Sequence, residues 1–286
     1  MLFACKGLLA KQVYALHVNF ELLVCIRACI ALPLFWWFTA SREGLSRIFS
    51  TPLSAVLAAS IAGFLCYYIG ALTDFYALTM IDASIERVLL FSYPAMVVLF
   101  TSVQHKRWPS RQVVLAATLA YIGIFLAIGG FDAHALRANL LGAMLVLISA
   151  LSFAIYFMIG EKYTRQIGSA RFTLFAMSAA TLALLAHVLL HHGVSGIAQI
   201  PAAGWGWLFL LGVMCMFLPA LLQAEGMRRI GAQRGSVVST LGPPTTVLLA
   251  WAFLGERLSL WQLGGVCIII ASVLLLEFTR GEAAPR

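Results

Sequence analysis

"LLFSYPAMVVLF", Leu89 to Phe100, and "VSTLGPPTTVLLAW", Val238 to Trp251, are both apolar enough to lie in hydrocarbon, and both carry proline near the middle. Pro94 and Pro243 are 149 residues apart in a chain of 286. Proline removes a backbone donor and breaks the helical ladder. Two such breaks half a chain apart ask for a common cause.

The surroundings of these stretches define the solvent. Hydrophobic residues form 62% of the chain, charged residues 10%, and the mean hydropathy is +0.95. A soluble domain is about 45–50% apolar and about 25% charged. The apolar runs are continuous over about 20 residues rather than alternating, which points to membrane-spanning helices and not to a barrel. The net charge of +8 does not indicate nucleic acid, because the basic residues fall in short loops between apolar runs. Six cysteines lie inside apolar stretches without CxxC or metal spacing, so neither a metal nor a cofactor is expected. No cleavable leader is read at the N-terminus.

Ten spans are expected, at roughly 1–16, 21–39, 53–78, 85–103, 112–130, 139–160, 172–190, 204–227, 235–254 and 260–278. With the N-terminus in the cytoplasm, thirteen Lys and Arg residues fall in inner loops and the tail, and two in outer loops. The positive-inside rule then places both termini in the cytoplasm. The first span reaches only about 24 Å, which suggests a natural start upstream of Met1.

The prolines now align. "IDASIERVLLFSYPAMVVLF" from Ile81 matches "IGAQRGSVVSTLGPPTTVLL" from Ile230, with Pro94 on Pro243, and Gly70 falls on Pro219. Five spans per half give opposite topologies, so residues 1–130 and 131–286 read as inverted repeats. Interrupted helices at matching places in such repeats point to a secondary transporter. Proline kept for packing alone is the plainer alternative. The ten-span plan and "LGPPTTVLLAWAFLGERLSLWQLGGVCIIIASVLLLE" (Leu241–Glu277) closely resemble the drug/metabolite transporter superfamily, of the EamA-domain type. That resemblance implies a bacterial inner-membrane carrier for a small metabolite, often an exporter, with a central cavity between the halves.

Candidate site residues follow from depth. Pro94, Pro243 and Pro244 sit near the bilayer centre, where carbonyls freed by proline need a cavity, water or a hydroxyl. Tyr93, Ser239 and Thr240 supply hydroxyls. Gly70, Pro94, Pro219, Pro243 and Pro244 are the expected hinges. Ionisable residues within spans are functional candidates. Arg27 lies about 10 Å and Asp74 about 8 Å below the outer ends of their spans, with Glu86 and Arg87 shallower. Either Arg27 and Asp74 form a structural ion pair, or Asp74 and Glu86 serve a gate or proton coupling. Lys6, about 16 Å deep, has no acidic residue at matching depth and is expected to hold a substrate carboxylate or to snorkel inward. Tyr67 and Tyr156 are candidate cavity aromatics. Gln223, aligned with Asp74, and Glu225 are expected to be inner counterparts of the outer charged layer.

His187 and His191 have a metal-like i, i+4 spacing but read as an interfacial pair without an acidic partner. Ala55, Ala59 and Gly63 form a small-residue stripe that suits close packing within the chain or in a homodimer. An intramembrane enzyme lacks a nucleophile–base set here, and no phosphate-binding loop appears. A gated channel stays open as an alternative to a carrier of an amino acid or similar amphipathic compound.

Overall fold

The computed structural model describes residues 5–93, 96–97, 100, 111–127, 133–198, 200–239, 242–256 and 258–281. Among these residues the regular structure is helical, without strands. Helices α1 (Lys6–Ala15), α2 (Phe20–Glu43) and α3 (Leu45–Phe49) open the chain. Helix α4 runs Leu53–Ala77 and contains a π-helical segment, Phe64–Gly70. Then come α5 (Ala83–Leu90), α6 (Arg111–Ala127), α7 (Ala133–Ile167), α8 (Ser169–His191) and α9 (Gly193–Ala198). Helix α10 begins as Ala202–Gly212, passes through a second π-helical segment, Val213–Phe217, and continues as Leu218–Ser239. Helices α11 (Gly242–Leu254) and α12 (Leu260–Gly281) complete the order. Five runs, Phe20–Glu43, Leu53–Ala77, Arg137–Ile167, Ser169–His191 and Ala202–Gly226, are long and apolar enough to cross a bilayer. The chain is a multi-pass helical membrane protein.

Local chemistry explains the boundaries. Asn19 caps α2 by accepting from the Glu21 N–H at 3.0 Å. Gly44 and Gly193 follow α2 and α8 with φ of 78° and 61°, a turn that glycine makes without strain. Pro52 and Pro201 precede α4 and α10, where a missing N–H costs nothing. The expected loop between the eighth and ninth spans is not present: α10 continues to Ser239. No proline occurs between Pro219 and Pro243, and the Met, Arg and Gln residues of that stretch favour helix.

A spacing of 149 residues recurs throughout. Leu53 and Ala202 start helices, Phe64 and Val213 start the π-helical segments, and Leu90 and Ser239 end helices. The same spacing relates two backbone contacts. A Cβ on Gly63 of α4 would collide with the Ala176 backbone of α8. A Cβ on Gly212 of α10 would lie 2.9 Å from the Arg27 carbonyl oxygen of α2. Residue 63 maps to 212 and residue 27 to 176, so each contact is the other with the halves exchanged. Ala55 and Ala59, fully buried, lie on α4, which packs on α8, so the small-residue stripe serves packing within the chain.

Pro243 and Pro244 do not sit mid-helix as expected. Helix α5 stops at Leu90, and its cap, Phe91, leaves the helical path. Pro243 and Pro244 fall in the first turn of α11, where proline fits because the first N–H groups have no helical partner. A helix start at Gly242 stands where the kink at Pro243 was expected. Pro94 and Thr240 lie outside the described residues, as do the side chains of Ser239, Pro243 and Pro244. Gly70 closes the first π-helical segment, and Pro219 lies two residues beyond the second.

Candidate functional site

A π turn holds one extra residue and shifts the facing of the helix past it. In α4 and α10 the two π turns bring matched residues to one cavity. Cys66 and Cys215, Tyr67 and Met216, and Asp74 and Gln223 all line it, each pair separated by 149 residues. Lys6, Arg27, Arg87, Phe91, Tyr93 and Phe153 complete much of the wall, around an empty volume of about 700 Å³ counted to its open mouth. Both halves of the chain therefore build one chamber.

Its charges lie on the first half. The Lys6 ammonium donates to Asp74 Oδ2 and, at 3.0 Å, to Glu86 Oε1. All three side chains are buried, with Glu86 at 0% exposure. The second carboxylate oxygens, Asp74 Oδ1 and Glu86 Oε2, are buried without a hydrogen-bond partner among the described residues. Glu86 stands behind the wall rather than in it. Two expectations change. Lys6 does have acidic partners, and the ion pair of Asp74 is with Lys6 rather than with Arg27. A depth count from span ends neglects the reach of a lysine stem. Arg27 instead lays its guanidinium carbon 4.1 Å from the centre of the Phe75 ring. The Lys6 ammonium is 5.3 Å from the same ring.

Aromatics back the chamber. Tyr67 meets Tyr156 edge-on at 5.2 Å, and Tyr93 stacks on Phe157 at 5.1 Å. Tyr67 and Tyr93 line the cavity; Tyr156 lies behind Tyr67 against Phe172. Glu225 is elsewhere. It accepts from Ser169 at 2.7 Å and pairs with Arg228 and Arg229 beside Glu43, which pairs with Arg171 at 2.6 Å. Gln223, expected alongside Glu225, belongs to the chamber.

Sequence reading missed two clusters. Glu21 pairs with His192 and lies 3.5 Å from His187, whose Nδ1 meets the Tyr68 hydroxyl at 3.0 Å. The histidine pair thus has an acidic partner, and it comes from α2, distant in sequence. No metal-holding group occurs among the described residues. Glu256 ties the halves together: it accepts from the Ala83 and Ser84 N–H groups at 2.9 and 3.1 Å and from the Ser84 hydroxyl at 2.7 Å. Asp82, half-buried in the loop beside Glu256, is held above the ordinary carboxylate range, first by burial and then by that neighbouring charge; Lys11 opposes the shift. Lys11 itself donates to the Ile81 carbonyl at 2.9 Å.

Comparison with known proteins gives this chamber a context. The EamA-like transporter family matches twice, over residues 1–129 and 140–278. "Uncharacterized transporter YcbK" of Bacillus subtilis (strain 168) is 31% identical over 98% of this chain and 91% of its own length. An "uncharacterized transporter" of Archaeoglobus fulgidus is 26% identical over 85% of this chain and 84% of its own. A solved crystal structure superposes with a TM-score of 0.69 at 16% identity, covering 99% of this chain and 95% of that one, a likeness of fold alone. Built from two matched segments and aligned along nearly its whole length with transporters, the chain belongs to the EamA-like transporter family of the drug/metabolite transporter superfamily.

Proposed function

We propose that the protein is a secondary transporter that moves a small amphipathic metabolite, an amino acid or a similar compound, across a bacterial inner membrane by alternating access, in the export direction. The observation that carries this reading is the single chamber lined by matched residues of both halves, Cys66 with Cys215 and Asp74 with Gln223. The repeated 149-residue spacing of helix starts, π turns and glycine contacts supports a ten-helix, inverted five-helix repeat, residues 1–130 and 131–286, and the bias of Lys and Arg toward the inner loops supports both termini in the cytoplasm. Tyr67, Tyr93 and Phe153 supply apolar contact, and the π turns beside Gly70 and Pro219 supply the flex.

Proton coupling is part of the proposal. Lys6 is hydrogen-bonded to two buried carboxylates, Asp74 and Glu86, and ionisable groups held inside membrane spans are the natural carriers of a coupled proton. Purified protein in liposomes is expected to give saturable, competed uptake that responds to an imposed pH gradient. Asp74→Asn and Glu86→Gln should keep substrate binding and lose the response to the gradient. Uptake that never saturates would instead indicate a channel. Full gradient response in both variants would remove proton coupling through this cluster.

A further inference from the structure

Lys6, Arg27, Arg87, Asp74 and Glu86 are all at most 6% exposed, which leaves the cluster formally one positive charge in excess. A buried excess charge is costly unless something answers it. Lys6 is already hydrogen-bonded to both carboxylates. Arg27 is not placed that way. Its Nε is buried without a hydrogen-bond partner, and no ion pair within 4.0 Å involves it among the described residues. Asp74 is an electrostatic neighbour, but its Oδ2 accepts from Lys6 and its Oδ1 makes no hydrogen bond to Arg27.

The setting is built rather than incidental. The Arg27 guanidinium carbon lies over the Phe75 ring, 4.1 Å from its centre, a contact that uses none of its N–H donors. The Arg27 backbone is fixed by the close approach of Gly212, which lets α10 pack directly on α2. The side chain lines the chamber together with Phe91, Tyr93 and Phe153. A planar fork of donors without a hydrogen-bonded partner among the described residues matches a planar bidentate acceptor.

We infer that Arg27 anchors the carboxylate of an amphipathic organic anion or zwitterion, with the apolar body of the ligand directed at Phe91, Tyr93 and Phe153. This rests on the transporter reading above and names the chemistry of its substrate. It moves the carboxylate role from Lys6, where sequence placed it, to Arg27.

The test uses purified full-length protein in nanodiscs and three probes of one shape: 3-phenylpropionate, its primary amide and 3-phenylpropylamine. Titration calorimetry is expected to give the acid at least about tenfold tighter binding than the amide, a charge-assisted pair's margin. Arg27→Gln should bring the ratio near one, and Arg27→Lys should retain part of it. Equal binding of acid and amide by the wild type overturns the anchor, as does an undiminished ratio in Arg27→Gln. Should Arg27→Gln not fold, an undiminished ratio in Arg27→Lys, which lacks the fork, overturns it equally. Flux of the same probes in liposomes separates the two readings. Arg27-dependent binding of the acid without saturable flux defeats the transporter and leaves the anchor standing. Saturable flux indifferent to the carboxylate defeats the anchor alone.

Discussion

Lys6 concentrates the energetics of the chamber. It is 5% exposed and holds two buried carboxylates, so its removal leaves both without their hydrogen-bonded cation. Lys6→Met is expected to cost about 3–5 kcal/mol, the range for breaking a buried pair from one side, whereas the triple change of Lys6→Met, Asp74→Asn and Glu86→Gln should recover much of that loss. Melting curves in one detergent decide this; a single variant as stable as the triple one would contradict it. Asp82 gives a second residue-scale expectation. Its carboxyl is held above the ordinary value in the fold, so folding favours its protonated form. Stability from this group is therefore full below the ordinary carboxylate range and falls as pH rises through the raised value. Asp82→Asn should raise the melting temperature at pH 7 and change little at pH 4. A gain of equal size at both pH values would mean that the shift is not its source. The sequence made Arg27, Asp74, Glu86 and Arg87 legible as one layer, because ionisable residues in spans are conspicuous, but it left Lys6 apart from them. Their pairing was illegible, because it depends on side-chain reach across helices 68 and 80 residues apart in sequence.

At the scale of elements, Gly70 and Pro219 marked the right neighbourhoods, yet nothing in composition announces a π turn. Phe64–Gly70 and Val213–Phe217 share little residue chemistry, and the extra residue is imposed by packing rather than by propensity. Pro243, expected as a mid-span kink, falls in the first turn of a helix that starts at Gly242, and Leu90 ends a helix ahead of Pro94, which lies outside the described residues. Glycine tells a simpler story. Gly63→Ala drives a Cβ into the Ala176 backbone and is expected to cost about 1–3 kcal/mol, as overpacking does. Gly206, with nothing near its missing Cβ, is the control; Gly206→Ala should be neutral or stabilise by up to about 1 kcal/mol. Similar melting temperatures for the two variants would show that the α4–α8 contact yields more easily than its geometry indicates.

For the whole molecule, the helical membrane class was written in hydropathy. What joins the halves was not visible, because Glu256 caps α5 from 172 residues away. Glu256→Ala removes three hydrogen bonds between the halves and leaves the first N–H groups of α5 unanswered. A loss of about 1–3 kcal/mol is expected, with faster hydrogen exchange at Ala83 and Ser84 and little change in α2. Unchanged exchange there would mean that Glu256 is not a clasp.

The 149-residue correspondence has a consequence for the working cycle. Exchanging the halves turns one end state of an alternating-access carrier into the other, so identical halves would make the two states mirror partners of equal energy. Here Asp74 maps to Gln223, Arg27 to Ala176 and Lys6 to Ile155. The backbone keeps the exchange while the charges break it. On the alternating-access reading proposed above, the empty carrier is a loaded spring rather than a balanced seesaw, with a preferred resting side set by the residues in which the copies no longer agree.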